Sequence, residues 1–127
     1  MDLLDDAIRS SGAAAYVGYA SSVDPDMRYL TRFQTTDPVI YLKRPGERGL
    51  VVVSQMEYAR AAAESAFAPI TRAEAGLFTH WKDPSERWSA MAAAIAGLAN
   101  GDILVPPSFP IALARGLEAH CRVLIDD

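Results

Sequence analysis

The apolar positions of this 127-residue chain change period along its length, and each change marks an element. Near the N-terminus Leu3, Leu4, Ala7 and Ile8 share one helical face behind Asp2, a residue suited to cap a helix, and Gly12 supplies the stop. Ala13 to Ala20 is then a nearly unbroken apolar run of strand length, with Gly18 inside it where backbone can come close. Val39 to Leu42 and Leu50 to Val53 are two further apolar runs, separated by Arg44-Pro45-Gly46-Glu47-Arg48-Gly49. That turn-rich interval predicts a hairpin with a long loop. Strands apolar on both faces predict a sheet covered on both sides.

Helical period returns from Gln55 to about Phe67, in Met56, Ala59, Ala63 and Phe67, and Pro69 reads as its end. Ile70 to Arg72 follows as a short strand. Residues 73–82 carry no periodic signal. Asp83-Pro84-Ser85-Glu86 then offers an N-cap residue, proline at the first helical position and a glutamate behind it. Trp88, Met91, Ile95 and Leu98 mark the face of the helix that follows, and Asn100-Gly101 ends it. Ile103 to Val105 is a strand stopped by Pro106-Pro107. Ser108 is the expected cap of a helix through Ile111, Leu113 and Leu117, and Arg122 to Ile125 is the last strand. Strands alternating with helices after one hairpin predict an α/β fold, a mixed β-sheet of about five to six strands with helices on both faces. The length suits a single domain, residues 1–127.

One stretch is richer than a connector needs. Met27-Arg28-Tyr29-Leu30-Thr31-Arg32-Phe33 lies between two strand runs, behind Asp24-Pro25, which predicts a short helical turn to about Leu30. Met27, Leu30 and Phe33 suit either closure of the sheet end or a ligand wall. The arginines are harder to absorb, because a fully buried, unpaired arginine is rare. Arg28 has Asp24 and Asp26 beside it, whereas Arg32 has only Asp37 nearby. An arginine next to an aromatic ring suits a ligand that carries a carboxylate. Arg32, Phe33 and Asp37 are therefore the candidate substrate-binding residues.

Composition narrows the function classes. Sixteen acidic residues against twelve basic ones give a net charge of −4, and no basic cluster offsets it, which argues against a nucleic-acid partner. No apolar run approaches the ~20 residues of a membrane span, and the N-terminus lacks the basic start and apolar core of a signal peptide. The expectation is no membrane partner and a cytoplasmic location. The lone Cys121 cannot form an internal disulfide and reads as a small buried residue on the last strand. His80 and His120 lack the close ligand spacing of a metal site. Asp5-Asp6 and Asp126-Asp127 read as solvated chain ends. Trp88 fits the apolar stripe of its helix and reads as core. No nucleophile elbow, dinucleotide fingerprint or phosphate loop is present. No catalytic residue, metal ligand or cofactor is assigned within the chain.

The stretch Asp26-Met27-Arg28-Tyr29-Leu30-Thr31-Arg32-Phe33 resembles a motif of the creatinase/prolidase N-terminal domain, an Asn or Asp region followed by Tyr-Leu-Thr-Gly-Phe. The following hairpin is similar to the next two strands of that family, and Ser54-Gln55-Met56-Glu57-Tyr58-Ala59 to its strand exit and helix start. Arg32 stands where the family often has glycine, which changes the turn if that glycine carries positive φ. The resemblance implies an α/β domain of an Xaa-Pro dipeptidase, aminopeptidase P or creatinase-like hydrolase. In such proteins a separate C-terminal "pita-bread" domain, absent from this chain, holds divalent metal ions and the catalytic groups. It further implies a homodimer, contact with the protein's own catalytic domain, and a share in a pocket for short proline-containing peptides, with Gln34 to Asp37 in the position of the contributing loop. The competing expectation is a stand-alone α/β binding or interaction domain that shares only the fold.

Overall fold

The fold is arranged about β1 (Ala15–Ala20), which pairs on one side with β2 (Val39–Lys43) and on the other with β5 (Ile103–Val105). The structure, a computed structural model, describes residues 3–20, 39–64, 68–77 and 87–126. The remaining elements are α1 (Leu3–Ser11), β3 (Leu50–Val53), α2 (Gln55–Glu64), β4 (Ala68–Thr71), α3 (Arg87–Ala99), α4 (Ile111–Leu117) and β6 (Val123–Ile125). Among the described residues the strands form one six-stranded sheet in the order β4-β3-β2-β1-β5-β6. β1, β2 and β3 run antiparallel to their neighbours in that hairpin series, while β3/β4, β1/β5 and β5/β6 are parallel. The mixed α/β sheet expected from the sequence is the observed one.

Strand alternation sorts the apolar residues onto two faces. Ala15, Val17, Ile40, Leu42, Val52, Ile103 and Val105 lie in one core with residues of α3 and α4, including Met91, Ile95, Leu113 and Leu117. Tyr16, Val39, Tyr41, Val51, Val53 and Leu104 lie in a second core with Ile8 of α1 and Ala61 of α2. Helices thus cover both faces, as strands apolar on both sides require. Gly116 lets α4 approach α3 closely: a Cβ there would lie 3.1 Å from Ala92 Cβ.

The stops follow their local chemistry. Gly12 has φ +80, the left-handed conformation that ends a helix without a side-chain penalty, and its N–H donates to Arg9 O at 3.2 Å. Asn100 takes the same role after α3, with φ 54. Several expectations need correction. β1 begins at Ala15 and not at Ala13. Pro69 does not terminate a helix but lies inside β4, opposite Val51. β4 is an edge strand, where proline's missing N–H leaves no ladder partner wanting. Ser108 does not cap α4; Pro110 holds that place with no side-chain hydrogen bond. Phe109 N–H donates to Pro106 O instead, closing a turn that buries the Phe109 ring. Cys121 precedes β6 and is half-buried, not buried on the strand. The expected turn at 25–30, the cap at 83–86 and Phe67 lie outside the described residues.

Candidate functional site

The predicted substrate-binding residues Arg32, Phe33 and Asp37 lie outside the described residues, as does His80. What the structure does fix is where their segment joins the sheet. Ala20 and Val39 are directly paired partners at one end of the β1–β2 ladder. β1 therefore ends and β2 begins at a single point, and Tyr19 stands one residue inside it, opposite Ile40.

Tyr19 is part of an aromatic corner at that end. Its ring meets the Trp88 ring edge-on, with centroids 5.9 Å apart and planes at 80°. Arg87, the first residue of α3, lays its guanidinium over Trp88, with the central carbon 4.8 Å from the ring centroid. Its Nη2 donates to the Tyr19 hydroxyl at 2.9 Å. Trp88 is half-buried, so it serves the core with one part and supports an exposed cation with the rest. Trp88 was placed on the apolar stripe, but Arg87 was not singled out from the sequence. The signal it did contain was an Arg-Trp pair at a helix start, and the partner ring lies on a strand far away in sequence.

The other end of the same ladder carries a different constellation. Lys43 pairs with Tyr16 in register and points to the α1 side, and its Nζ donates to Asp5 Oδ1 at 2.7 Å and to Arg44 O at 2.9 Å. The second Asp5 oxygen accepts from the Gly46 N–H at 2.9 Å. Asp5 and Lys43 are only 7% and 8% exposed, so the expectation that Asp5 is a solvated chain end is overturned. The hydrogen bond from Lys43, then that from the Gly46 amide, hold the Asp5 carboxyl below its ordinary pKa against the opposing effect of burial, with Lys43 and Arg9 charges adding to the lowering. This is a clamp that ties α1 to the β2–β3 hairpin, and each polar atom named in it has a partner.

The remaining reactive groups are dispersed. The Cys121 thiol packs against the core with Sγ 3.6 Å from Leu117 O, and burial followed by the charge of Asp102 raises its pKa, so it is a poor thiolate. Thr71 and Glu74 form a reciprocal capping box: Glu74 N–H donates to Thr71 Oγ1 at 3.1 Å and Thr71 N–H to Glu74 Oε1 at 3.0 Å. It opens a turn that delivers Leu77 into the core, in a region whose sequence showed no period. A shallow depression on the hairpin is lined by Leu42, Arg44, Glu47, Arg48 and Leu50. Among the described residues no three His, Cys, Asp or Glu side chains are gathered as a metal site would need. No helix among them is long and apolar enough to cross a membrane.

No family model and no curated protein matches the sequence. Solved structures do match the fold. The chain is similar to the N-terminal domain of the cytoplasmic peptidase PepQ from Mycobacterium tuberculosis, at 18% identity and a TM-score of 0.65, over 98% of this chain and 89% of that one. It is similar to the creatinase/prolidase N-terminal domain of an X-Pro dipeptidase from Streptococcus pyogenes, at 15% identity and a TM-score of 0.61, over 97% of this chain and 90% of that one. The Xaa-Pro dipeptidase from Bacillus anthracis matches at 8% identity and a TM-score of 0.67, over 98% of this chain but only 32% of its own length. With agreement over nearly the whole chain, and with the same mixed sheet that the sequence predicted, this chain has the fold of a creatinase/prolidase N-terminal domain.

Proposed function

We propose that this chain acts as the non-catalytic N-terminal domain of a metal-dependent Xaa-Pro dipeptidase- or aminopeptidase-like hydrolase. The observation that supports the reading is the match to isolated N-terminal domains over almost their full length, while the same fold takes up about a third of a complete dipeptidase. In this reading the divalent metal ions and the catalytic groups belong to a C-terminal domain. The present domain supports a homodimer and completes the pocket for short proline-containing peptides. Arg32, Phe33 and Asp37 are the residues assigned to that pocket, because an arginine next to an aromatic ring suits a ligand that carries a carboxylate. The experiment is direct. The purified chain is incubated with an Xaa-Pro dipeptide and manganese, and free proline is measured. No release above the metal-only blank is expected. Release that scales with protein concentration and survives further purification overturns the non-catalytic assignment.

A further inference from the structure

We propose that Tyr19, Arg87 and Trp88 form a binding site for a carboxylate. The inference stands on this corner alone and does not depend on the peptidase reading. The guanidinium of Arg87 carries five N–H donors. One of its nitrogens donates to Tyr19 Oη at 2.9 Å, and its face rests on Trp88. Among the described residues the ion pairs join Lys43 to Asp5, Arg60 to Glu57 and Arg122 to Asp102, and none reaches Arg87. Tyr19 accepts from Arg87, and nothing among the described residues accepts its own O–H proton.

The corner therefore offers two kinds of donor side by side: N–H groups of a cation and a hydroxyl polarised by that cation. A hydroxyl that accepts from a charged donor is itself a stronger donor. A carboxylate supplies the complement, one oxygen for the guanidinium and one for the hydroxyl. A single cation matches a monoanion; a phosphate dianion would be left half-neutralised. The two rings fix the arginine, so the ordering of a long side chain is not charged against the ligand. Tyr19 and Trp88 are each half-buried and stand on a strand and a helix of the core, a more rigid support than a surface loop.

The test is a titration of the isotope-labelled chain followed by NMR at the Arg87 Nε–H and the Trp88 indole N–H. The probes are sodium acetate, glycyl-proline, glycyl-prolinamide and sodium chloride. Glycyl-proline is expected to shift both signals saturably, while the amide and chloride leave them in place. Saturation by acetate as well assigns the site to carboxylates in general; saturation by glycyl-proline alone assigns it to a peptide terminus. Arg87→Gln should abolish the shift while the other amide signals keep their positions. Tyr19→Phe should weaken binding about tenfold through loss of one charge-assisted hydrogen bond. Arg87→Lys, which keeps the charge and loses the planar fork, should weaken it too and covers the case in which the glutamine variant misfolds. The proposal is overturned by the absence of a saturable shift with either carboxylate, by an equal response to chloride, or by a response that persists in a folded Arg87→Gln chain.

Discussion

The β1–β2 ladder carries a cation at each of its ends, and the two are handled in opposite ways. At the Tyr16–Lys43 end the ammonium lies under α1, paired with Asp5 and hydrogen-bonded to the Arg44 carbonyl. At the Ala20–Val39 end the guanidinium of Arg87 is exposed, rests on Trp88 and meets a hydroxyl, with no carboxylate partner among the described residues. A buried charge must be matched at once by its own chain, because an unmatched one is strongly destabilising. An exposed charge carries no such demand and stays available to something else. The closed end therefore belongs to stability and the open end to recognition.

Removing a partner at the closed end should have the largest effect. Lys43→Met leaves the Asp5 carboxylate without its cation and is expected to cost about 3 kcal/mol of unfolding free energy, measured by urea denaturation. The double variant Asp5→Leu with Lys43→Met should recover much of that loss, since both charges then leave the site together. A double variant as unstable as the lysine variant alone would show that the aliphatic stem of Lys43, and not its charge, holds α1 down.

Acid tests the same end more gently. The folded-state pKa of Asp5 is lowered, first by the Lys43 hydrogen bond, so its contribution is complete above the unfolded carboxylate value of about 3.9. It is lost as pH falls below that value and through the lower folded-state pKa. Urea midpoints recorded between pH 6 and pH 2.5 should fall in this window, and Asp5→Asn should show a shallower fall over the same range. Equal slopes for the two chains would assign the acid sensitivity to other carboxylates. The smallest effect is expected at the open end. Arg87→Ala should change stability by less than about 1 kcal/mol, since an exposed cation–π contact and one surface hydrogen bond contribute little to the fold. A larger loss would mean that Arg87 is a structural member of the corner.

The two ends also differ in how far they could be read from the sequence. The strands were legible because Val39 to Leu42 and Leu50 to Val53 are short runs apolar at every position with turn residues between them, a pattern that suits a sheet covered on both sides. Gly12 and Asn100 announced their helix ends through backbone chemistry that is local. Asp5 was misread because its partner is 38 positions away, and nothing near Asp5 reveals the pairing. Pro69 was misread because a proline ends a helix and tolerates an edge strand equally well, and strand order is not a local property. The Arg87–Tyr19 contact spans 68 positions and was missed for the same reason. The segment that holds Arg32, Phe33 and Asp37 was singled out by its unusual composition, and the structure adds its attachment point at Ala20 and Val39.

The central place of β1 also sets the order in which the chain can assemble. β1 forms near the N-terminus, yet its parallel neighbour β5 is drawn from residues 103–105 and the helices over Ala15 and Val17 from residues 87–117. On a ribosome the hairpin of β1, β2 and β3 has its antiparallel partners early, through short-range pairing. One apolar face of that hairpin nevertheless stays uncovered until α3, β5 and α4 have emerged. Closure of the sheet therefore waits on residues 87–117, and the β1–β3 series carries an apolar surface until they have emerged.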